Sequence, residues 1–362
     1  VAAMPQSRLA DNPLITQDSE QRLRHARGQS LPDWIALRSG AISTFPDGVA
    51  FPENDTDVAD LIQYAIQTGA RLIPYGGGTS VVGHINPTAE DAPLLTVNMR
   101  HMCRLRTFYD QDLLATFGAG VSGPELEAQL RARNFTLGHY PQSFEFSTLG
   151  GWIATRSKGQ QALLYGRIED LYAGGTLLAP AGKLIMPPHP ASAAGPDLRQ
   201  LVLGSEGRMG FITEATVRIS PLPQEEEFHG LFFPDFLAGQ TAVREMVQAK
   251  LPLSMLRLST PVETETTLVL AGYERAIGLL EQFLNIRGIS QDKSMLLAGF
   301  SGSARLVKAT KKEALEVAKR HGGVHVGTQF GKQWRKSRFR SPYLRNTLWE
   351  MGYAVDTLET AV

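Results

Sequence analysis

Cysteine is nearly absent from this chain of 362 residues, where Cys103 stands alone. An internal disulfide is thereby excluded, and a reducing compartment is expected. Net charge is lacking too, since 36 lysines and arginines face 36 aspartates and glutamates. Without a charge excess there is no whole-chain case for binding nucleic acid or for electrostatic attachment to a membrane. No apolar run reaches the roughly 18 residues that a spanning helix needs, and no secretory leader pattern opens the chain. The expectation is a soluble, cytoplasmic protein without a transmembrane segment.

Several chemical signatures are missing as well. "GTQFGKQ" (327–333) is one residue short of a Walker A loop and ends in Gln. "GSEGRMG" (204–210) spaces its glycines by three and three, unlike a Rossmann fingerprint. No G-x-S-x-G elbow occurs. His321 and His325 stand four apart, but the two glycines between them argue against a shared helical face, so no metal site is expected. Cys103, near His101 and Arg104, reads as an ordinary thiol rather than a nucleophile.

What the chain does have is glycine, and it is grouped. Gly76–Gly78, Gly118 with Gly120, Gly150–Gly151, and Gly204 with Gly207 and Gly210 form four clusters. Fixing a glycine costs roughly 0.5–1 kcal/mol relative to Ala in regular structure. Three in a row after the strand-like "RLIPY" (71–75) imply a backbone that turns tightly or comes close to something bulky. Each cluster except the second brings polar neighbours: Thr79 and Ser80, Ser147 and Thr148, Ser205 and Glu206. Successive backbone N–H groups beside hydroxyls make a cradle for a diphosphate that needs no lysine.

The clusters lie in a region of mixed elements. A strand (Gly48–Phe51) precedes a helix capped by Asp55 or Thr56, with Val58, Leu61, Ile62 and Ala65 at helical spacing. Gly69 stops that helix and Arg71–Pro74 begins the next strand, the outline of a βαβ unit. "PLLTVNM" (93–99) and "LLATFGAGV" (113–121) read as strands separated by a polar bend at Tyr109–Asp112. A helix follows, with Ser122 as its cap and Pro124 in its first turn. With short strands in 167–185 and 211–220, these make an α+β domain over residues 41–222, preceded by an N-terminal helical extension (1–40). "SPLPQEEEF" (220–228) reads as a boundary linker. Residues 228–362 then alternate strand and helix, which suggests an α/β second domain.

Five phrases in order carry a resemblance. They are "IPYGGGTSVVG" (73–83), "GAGVSGPELEAQL" (118–130), "GHYPQSFEFSTLGGWIATRSKGQ" (138–160), "YGRIEDL" (165–171) and "GPDLRQLVLGSEGRMGFITEATVRI" (195–219). Together they resemble the PCMH-type FAD-binding domain of the vanillyl-alcohol-oxidase superfamily, with its two subdomains. Within it they look most like the alkyldihydroxyacetonephosphate synthases and their bacterial FAD-linked oxidase relatives. The resemblance implies noncovalent FAD, with the second domain as a substrate cap over the flavin.

Carried over by position, Pro74, Gly76, Gly77, Gly78, Thr79 and Ser80 would bind the diphosphate. Pro141, Ser143, Ser147, Thr148, Gly150, Gly151 and Trp152 would line the flavin and ribityl side, with Thr155 and Ser157 nearby. Glu206, Gly207, Gly210 and Ile212 would hold the adenosine end. Trp152 also reads as plain core packing. His84 follows "VVG", outside the context in which relatives link FAD to histidine, and is read as structural.

Arg345, in "YLRN", matches the arginine of the synthases' "Y-I-R-D" and is implied to act on substrate. Its planar fork suits a phosphate or carboxylate. The surrounding run of Arg335, Lys336, Arg338 and Arg340 also reads as a solvated helix face.

The resemblance implies an exchange of acyl for alkyl on a dihydroxyacetone phosphate through a flavin N5 adduct. The alternatives are a 2-hydroxy-acid dehydrogenase or oxidase of the D-lactate or glycolate type, and a flavin-binding subunit without catalysis. The partner is a small molecule bearing phosphate or carboxylate, and a homodimer rests on family analogy. The family continues past "DTLET" into consecutive histidines, whereas none of the eight histidines here are adjacent. A polypeptide of these residues alone is therefore expected to keep FAD affinity and turn over poorly.

Overall fold

The structure, a computed structural model, describes residues 4–89, 91–190, 193–270 and 274–354. The chain forms two compact units. One comprises Val1–Gly159, Arg167–Ser220 and Phe339–Val362, the other Gln160–Gly166 and Pro221–Arg338.

In the first unit, β1 (Ile15–Thr16), β2 (Gly48–Ala50), β3 (Arg71–Tyr75) and β4 (Leu94–Asn98) form a sheet ordered β1-β2-β4-β3. β2 and β3 both run parallel to β4, so the expected strand–helix–strand unit is present with β4 inserted between its strands. The helix Asp55–Thr68 buries Val58, Leu61, Ile62 and Ala65, the stripe its periodicity gives. Its cap is Asn54 rather than Asp55 or Thr56. Asn54 is still extended, and its side chain accepts from the N–H groups of Thr56 and Asp57 at 2.9 and 3.1 Å. Gly69, at φ +71°, ends the helix as expected.

The second sheet is antiparallel and ordered β5-β6-β10-β8-β9. Its strands are β5 (Leu105–Tyr109), β6 (Leu114–Gly118), β8 (Tyr172–Ala179), β9 (Gly182–Met186) and β10 (Phe211–Arg218). The short β7 (Phe135–Thr136) follows the helix Gly123–Arg131, and β11 (Ser220–Pro221) ends the region. Phe117, Leu126, Leu130, Trp152, Ile153 and Tyr172 make the core over this sheet.

Residues 4–40 hold two helices, Ser19–Arg24 and Leu31–Ser39. β1 pairs with β2. Arg8 forks onto the buried Asp47, with Nε to Oδ1 at 3.0 Å and Nη2 to Oδ2 at 2.7 Å. Asn98 Nδ2 donates to His25 Nε2 at 2.8 Å, which leaves His25 Nδ1 as the donor to the Gln21 carbonyl at 2.7 Å. The Phe339 ring stacks on Phe144 at 4.6 Å, and the described residues from Phe339 to 354 belong to the first unit.

The second unit has β12 (Glu225–Phe233), β13 (Met255–Leu258), β14 (Ser294–Gly302) and β15 (Val324–His325), ordered β13-β14-β12-β15. Every pairing in it is antiparallel, so its alternating strands and helices are not parallel crossovers. Leu231, Phe233, Leu296, Ala298 and Phe300 face one core, and Phe228, Phe232, Met295 and Leu297 face another. That alternation is the period of two expected of a sheet covered on both sides.

Glu225–Glu227, expected in a linker, instead begin β12. Glu226 accepts from Gln161 and pairs with Arg335, both at 3.0 Å. Glu227 is held by Lys311 at 2.6 Å and His229 Nε2 at 2.8 Å. The helix Pro261–Leu270 was not anticipated at all. Among the described residues, no helix is long and apolar enough to cross a membrane.

Candidate functional site

The glycine turn leaves β3 at Tyr75. A β-carbon on Gly76 would stand 2.4 Å from Thr148 Oγ1, and one on Gly77 would stand 1.8 Å from the Phe146 carbonyl oxygen. Gly78 is left-handed, at φ +69°, and a β-carbon there would stand 2.0 Å from the Tyr75 hydroxyl. The bulky object that the backbone approaches is thus the chain itself. Gly76 and Gly77 are required to bring the turn against segment 146–148, and Gly78 by its left-handed φ and by Tyr75, before any ligand is considered. Beyond them, the Ser80 carbonyl accepts from Gln29 N at 2.7 Å and the Ser80 hydroxyl lies 3.3 Å from His84 Nδ1.

The opposite wall is the helix Leu149–Thr155, capped by Thr148, whose Oγ1 accepts from Gly151 N at 3.3 Å. Trp152 is 1% exposed, and its indole N–H donates to Ser147 Oγ at 2.7 Å. Ser147 Oγ in turn donates to the Ser143 carbonyl at 2.9 Å, so its one proton is already committed. Thr155 returns its hydroxyl to the Gly151 carbonyl at 2.8 Å. Ser157 Oγ meets His139 Nε2 at 2.8 Å. Burial pushes the His139 pKa down to about 3, so this ring is neutral at any working pH. Its Nδ1 has no partner among the described residues.

A third wall is the turn before β10. Glu206, Gly207 and Gly210 adopt φ of +52°, +81° and +135°, and a β-carbon on Gly210 would stand 2.3 Å from the Leu178 carbonyl oxygen. His84 Nδ1 is 3.9 Å from Glu206 Oε2, which brings the first and third walls together.

Between the walls lies a cavity of about 380 Å³. Pro74, Gly76, Gly78, Thr79, Ser80, Ser143, Ser147, Thr148, Gly150, Gly151, Trp152, Thr155, Ser157, Glu206, Gly207, Gly210 and Ile212 all line it. Gly77 and Pro141 do not. Gly77 lines a neighbouring cavity of about 790 Å³, and Pro141 is buried in its loop with its carbonyl on Phe144 N at 3.1 Å. Sequence reasoning missed Tyr75, Val81, Val82, Ile85, Met99, Ala119, Ala154, Ser205 and Phe211, and it set His84 aside as structural although His84 lines the cavity. The adjacent valines after the glycine turn, 65% and 67% exposed, were the available signal.

Arg345, in the helix Ser341–Glu350, is not among the lining residues. Its Nη1 donates to the Gln29 carbonyl and its Nη2 to Gln29 Oε1, each at 2.9 Å. Its guanidinium carbon sits 5.0 Å from the centre of the Trp34 ring.

Among the described residues, no lysine or arginine lines the cavity. An anion there would rest on backbone N–H groups and hydroxyls. Gly151 fits that use. A β-carbon on it would meet only Thr148 Oγ1, at 3.3 Å, and would otherwise occupy cavity space.

Comparison with known proteins gives the same picture. The description "FAD binding domain" matches residues 46–186, and "FAD linked oxidases, C-terminal domain" matches residues 222–362. An alkyldihydroxyacetonephosphate synthase from Dictyostelium discoideum is 32% identical over 355 residues, covering 96% of this chain and 58% of that protein. The glycolate oxidase subunit GlcD of Bacillus subtilis is 27% identical over 295 residues, covering 77% of this chain and 60% of that protein. A solved alkyldihydroxyacetonephosphate synthase superposes with a TM-score of 0.87 at 30% identity, over 96% of this chain and 66% of that one. This chain therefore spans less than two thirds of the length of each of these relatives.

Proposed function

Because this chain belongs to the FAD-linked oxidase family and takes FAD as its cofactor, we propose that it serves the exchange made by the alkyldihydroxyacetonephosphate synthases. A long-chain alcohol enters, the acyl group leaves as a carboxylate, and no net oxidation results. One observation carries the choice. Similarity to the synthase extends over 96% of the chain at 32% identity, against 77% at 27% for the glycolate oxidase subunit.

Bound FAD supplies the reactive ring. The turn from Gly76 to Ser80 and the Thr148-capped helix offer N–H and hydroxyl donors to the diphosphate, which is held without a covalent bond. The bond between Trp152 and Ser147 ties that wall together, and Glu206, Gly207 and Gly210 would hold the adenosine end. Arg345 is read as the residue that takes the substrate phosphate, its guanidinium being a charge-assisted donor to an anion. The dehydrogenase reading would use the same arginine on a carboxylate.

The test is the visible spectrum of the purified holoprotein, before and after acid precipitation. Flavin bands at about 370 and 450 nm that move to the supernatant support noncovalent FAD. Colour retained in the pellet overturns it and points to His84. Anaerobic addition of lactate or glycolate should leave the bands unbleached, while acyl-dihydroxyacetone phosphate with a fatty alcohol should yield the ether product. Bleaching by a 2-hydroxy acid would replace the synthase reading with the dehydrogenase one.

A further inference from the structure

Arg345 and the glycine turn are joined through a single residue, Gln29. Its carbonyl and its side-chain Oε1 accept from Nη1 and Nη2 of Arg345, each at 2.9 Å, so one residue holds both prongs of the guanidinium. Its own N–H donates to the Ser80 carbonyl at 2.7 Å. The segment around it is fixed to the same turn. Gly28 N donates to Asn86 Oδ1 at 2.8 Å, Asn86 Nδ2 donates to Asp33 Oδ1 at 2.5 Å, and a β-carbon on Gly28 would stand 2.6 Å from the Ser80 carbonyl oxygen. Trp34, 6% exposed, lies under the guanidinium and meets Trp349 edge-on at 4.6 Å.

Resting on the reading of Arg345 as the substrate residue, we infer that Gln29 is its positioning residue. It fixes the guanidinium at a set distance from the diphosphate turn. Two properties suit glutamine to this. Both of its acceptors are neutral carbonyl oxygens, so they orient the guanidinium without cancelling its charge. And because one acceptor and the Ser80 bond belong to the main chain, turn and arginine share a backbone reference rather than a chain of flexible side chains. Glutamate at this position would keep the geometry and neutralise the charge.

The experiment titrates the FAD-loaded protein with dihydroxyacetone phosphate, read through the flavin absorption band, with uncharged dihydroxyacetone as control. Gln29→Ala should weaken dihydroxyacetone phosphate binding about tenfold, the effect of losing one hydrogen bond to a charged group. Gln29→Glu should weaken it at least as much while raising thermal stability. FAD affinity should hold within about twofold in both, because the bond to Ser80 is made by the main chain. In an Arg345→Met background, Gln29→Ala should add nothing further.

A merely structural role would instead lower melting temperature and FAD affinity alike in both backgrounds, and that result would overturn the inference. So would an Arg345→Met variant that loses binding while both Gln29 variants match the parent protein. If Arg345→Met itself binds like the parent, the reading of Arg345 falls first and this one with it.

Discussion

Gly77 lies so close to Phe146 that a β-carbon on it would stand 1.8 Å from the Phe146 carbonyl oxygen. Gly151, two residues into the helix Leu149–Thr155 and three after Thr148, has only Thr148 Oγ1 within reach, at 3.3 Å. The two glycines are needed for opposite reasons, Gly77 beside the cavity and Gly151 lining it. At Gly77 protein fills the space, and at Gly151 the space is the cavity.

Alanine separates the two. Gly77→Ala forces backbone against backbone and should destabilise the FAD-free protein by about 1–3 kcal/mol or more. Gly151→Ala should leave that protein as stable or up to about 1 kcal/mol more so, through helix propensity, while weakening FAD binding. Urea unfolding of FAD-free protein together with FAD titration checks both. Equal loss of stability in the two variants would contradict the assignment.

The bond between Trp152 and Ser147 predicts a second outcome. Ser147→Ala leaves a buried indole N–H without its acceptor at 2.7 Å. The expected cost is about 1–3 kcal/mol, seen as a lower urea midpoint without FAD. An unchanged midpoint would mean that Trp152 finds another acceptor.

His139 gives a pH dependence whose sign follows from its burial. Its folded pKa is about 3, below the ordinary histidine value, so between those limits the unfolded chain binds a proton that the folded one does not. Stability should therefore fall with pH, by about 1.4 kcal/mol per unit for this proton, from about 6.5 downward. His25 and His325, also lowered chiefly by burial, add in the same direction. Comparing unfolding free energies near pH 6.5 and pH 5, His139→Gln should reduce the dependence by about one proton. An unaltered slope would rule out His139 as its source.

Asp47 titrates in the opposite sense. Although burial raises its pKa, the hydrogen bonds from Arg8 and Leu94 outweigh that and hold it below the ordinary range. The stability it brings is present above its unfolded pKa and is lost as pH falls through the lower folded value. Arg8→Ala should accordingly destabilise the protein at pH 7 and much less once Asp47 is protonated. A constant difference across that range would show that Arg8 acts through packing alone.

Much of the first unit was legible because its signals are local. The helix Asp55–Thr68 declares itself by a four-residue apolar stripe and a terminal glycine, and the helix Gly123–Arg131 by Ser122 as its cap and Pro124 in its first turn. β5 was not legible, since Arg104, Arg106 and Thr107 make "RLRTFY" look like part of a polar connection. Glu225–Glu227 read as linker because the residues that pair with Glu226 and Glu227, Arg335 and Lys311, come more than 80 positions later. The cavity residues were found through the resemblance and the glycine clusters. The reason for glycine at 76 and 77 was not, because it depends on a loop seventy residues downstream.

Arg345 and Gln29 are 316 positions apart in the chain, yet the hydrogen bonds between them lie inside one unit. During synthesis at about 5–20 residues per second, the segment holding Gln29 waits roughly 15–60 s for its arginine to be made. Throughout that interval the glycine turn has its partners at Phe146 and Thr148 for most of the time, but not its link to the helix Ser341–Glu350. The contacts of the glycine turn are thus available well before the grip on Arg345 can form.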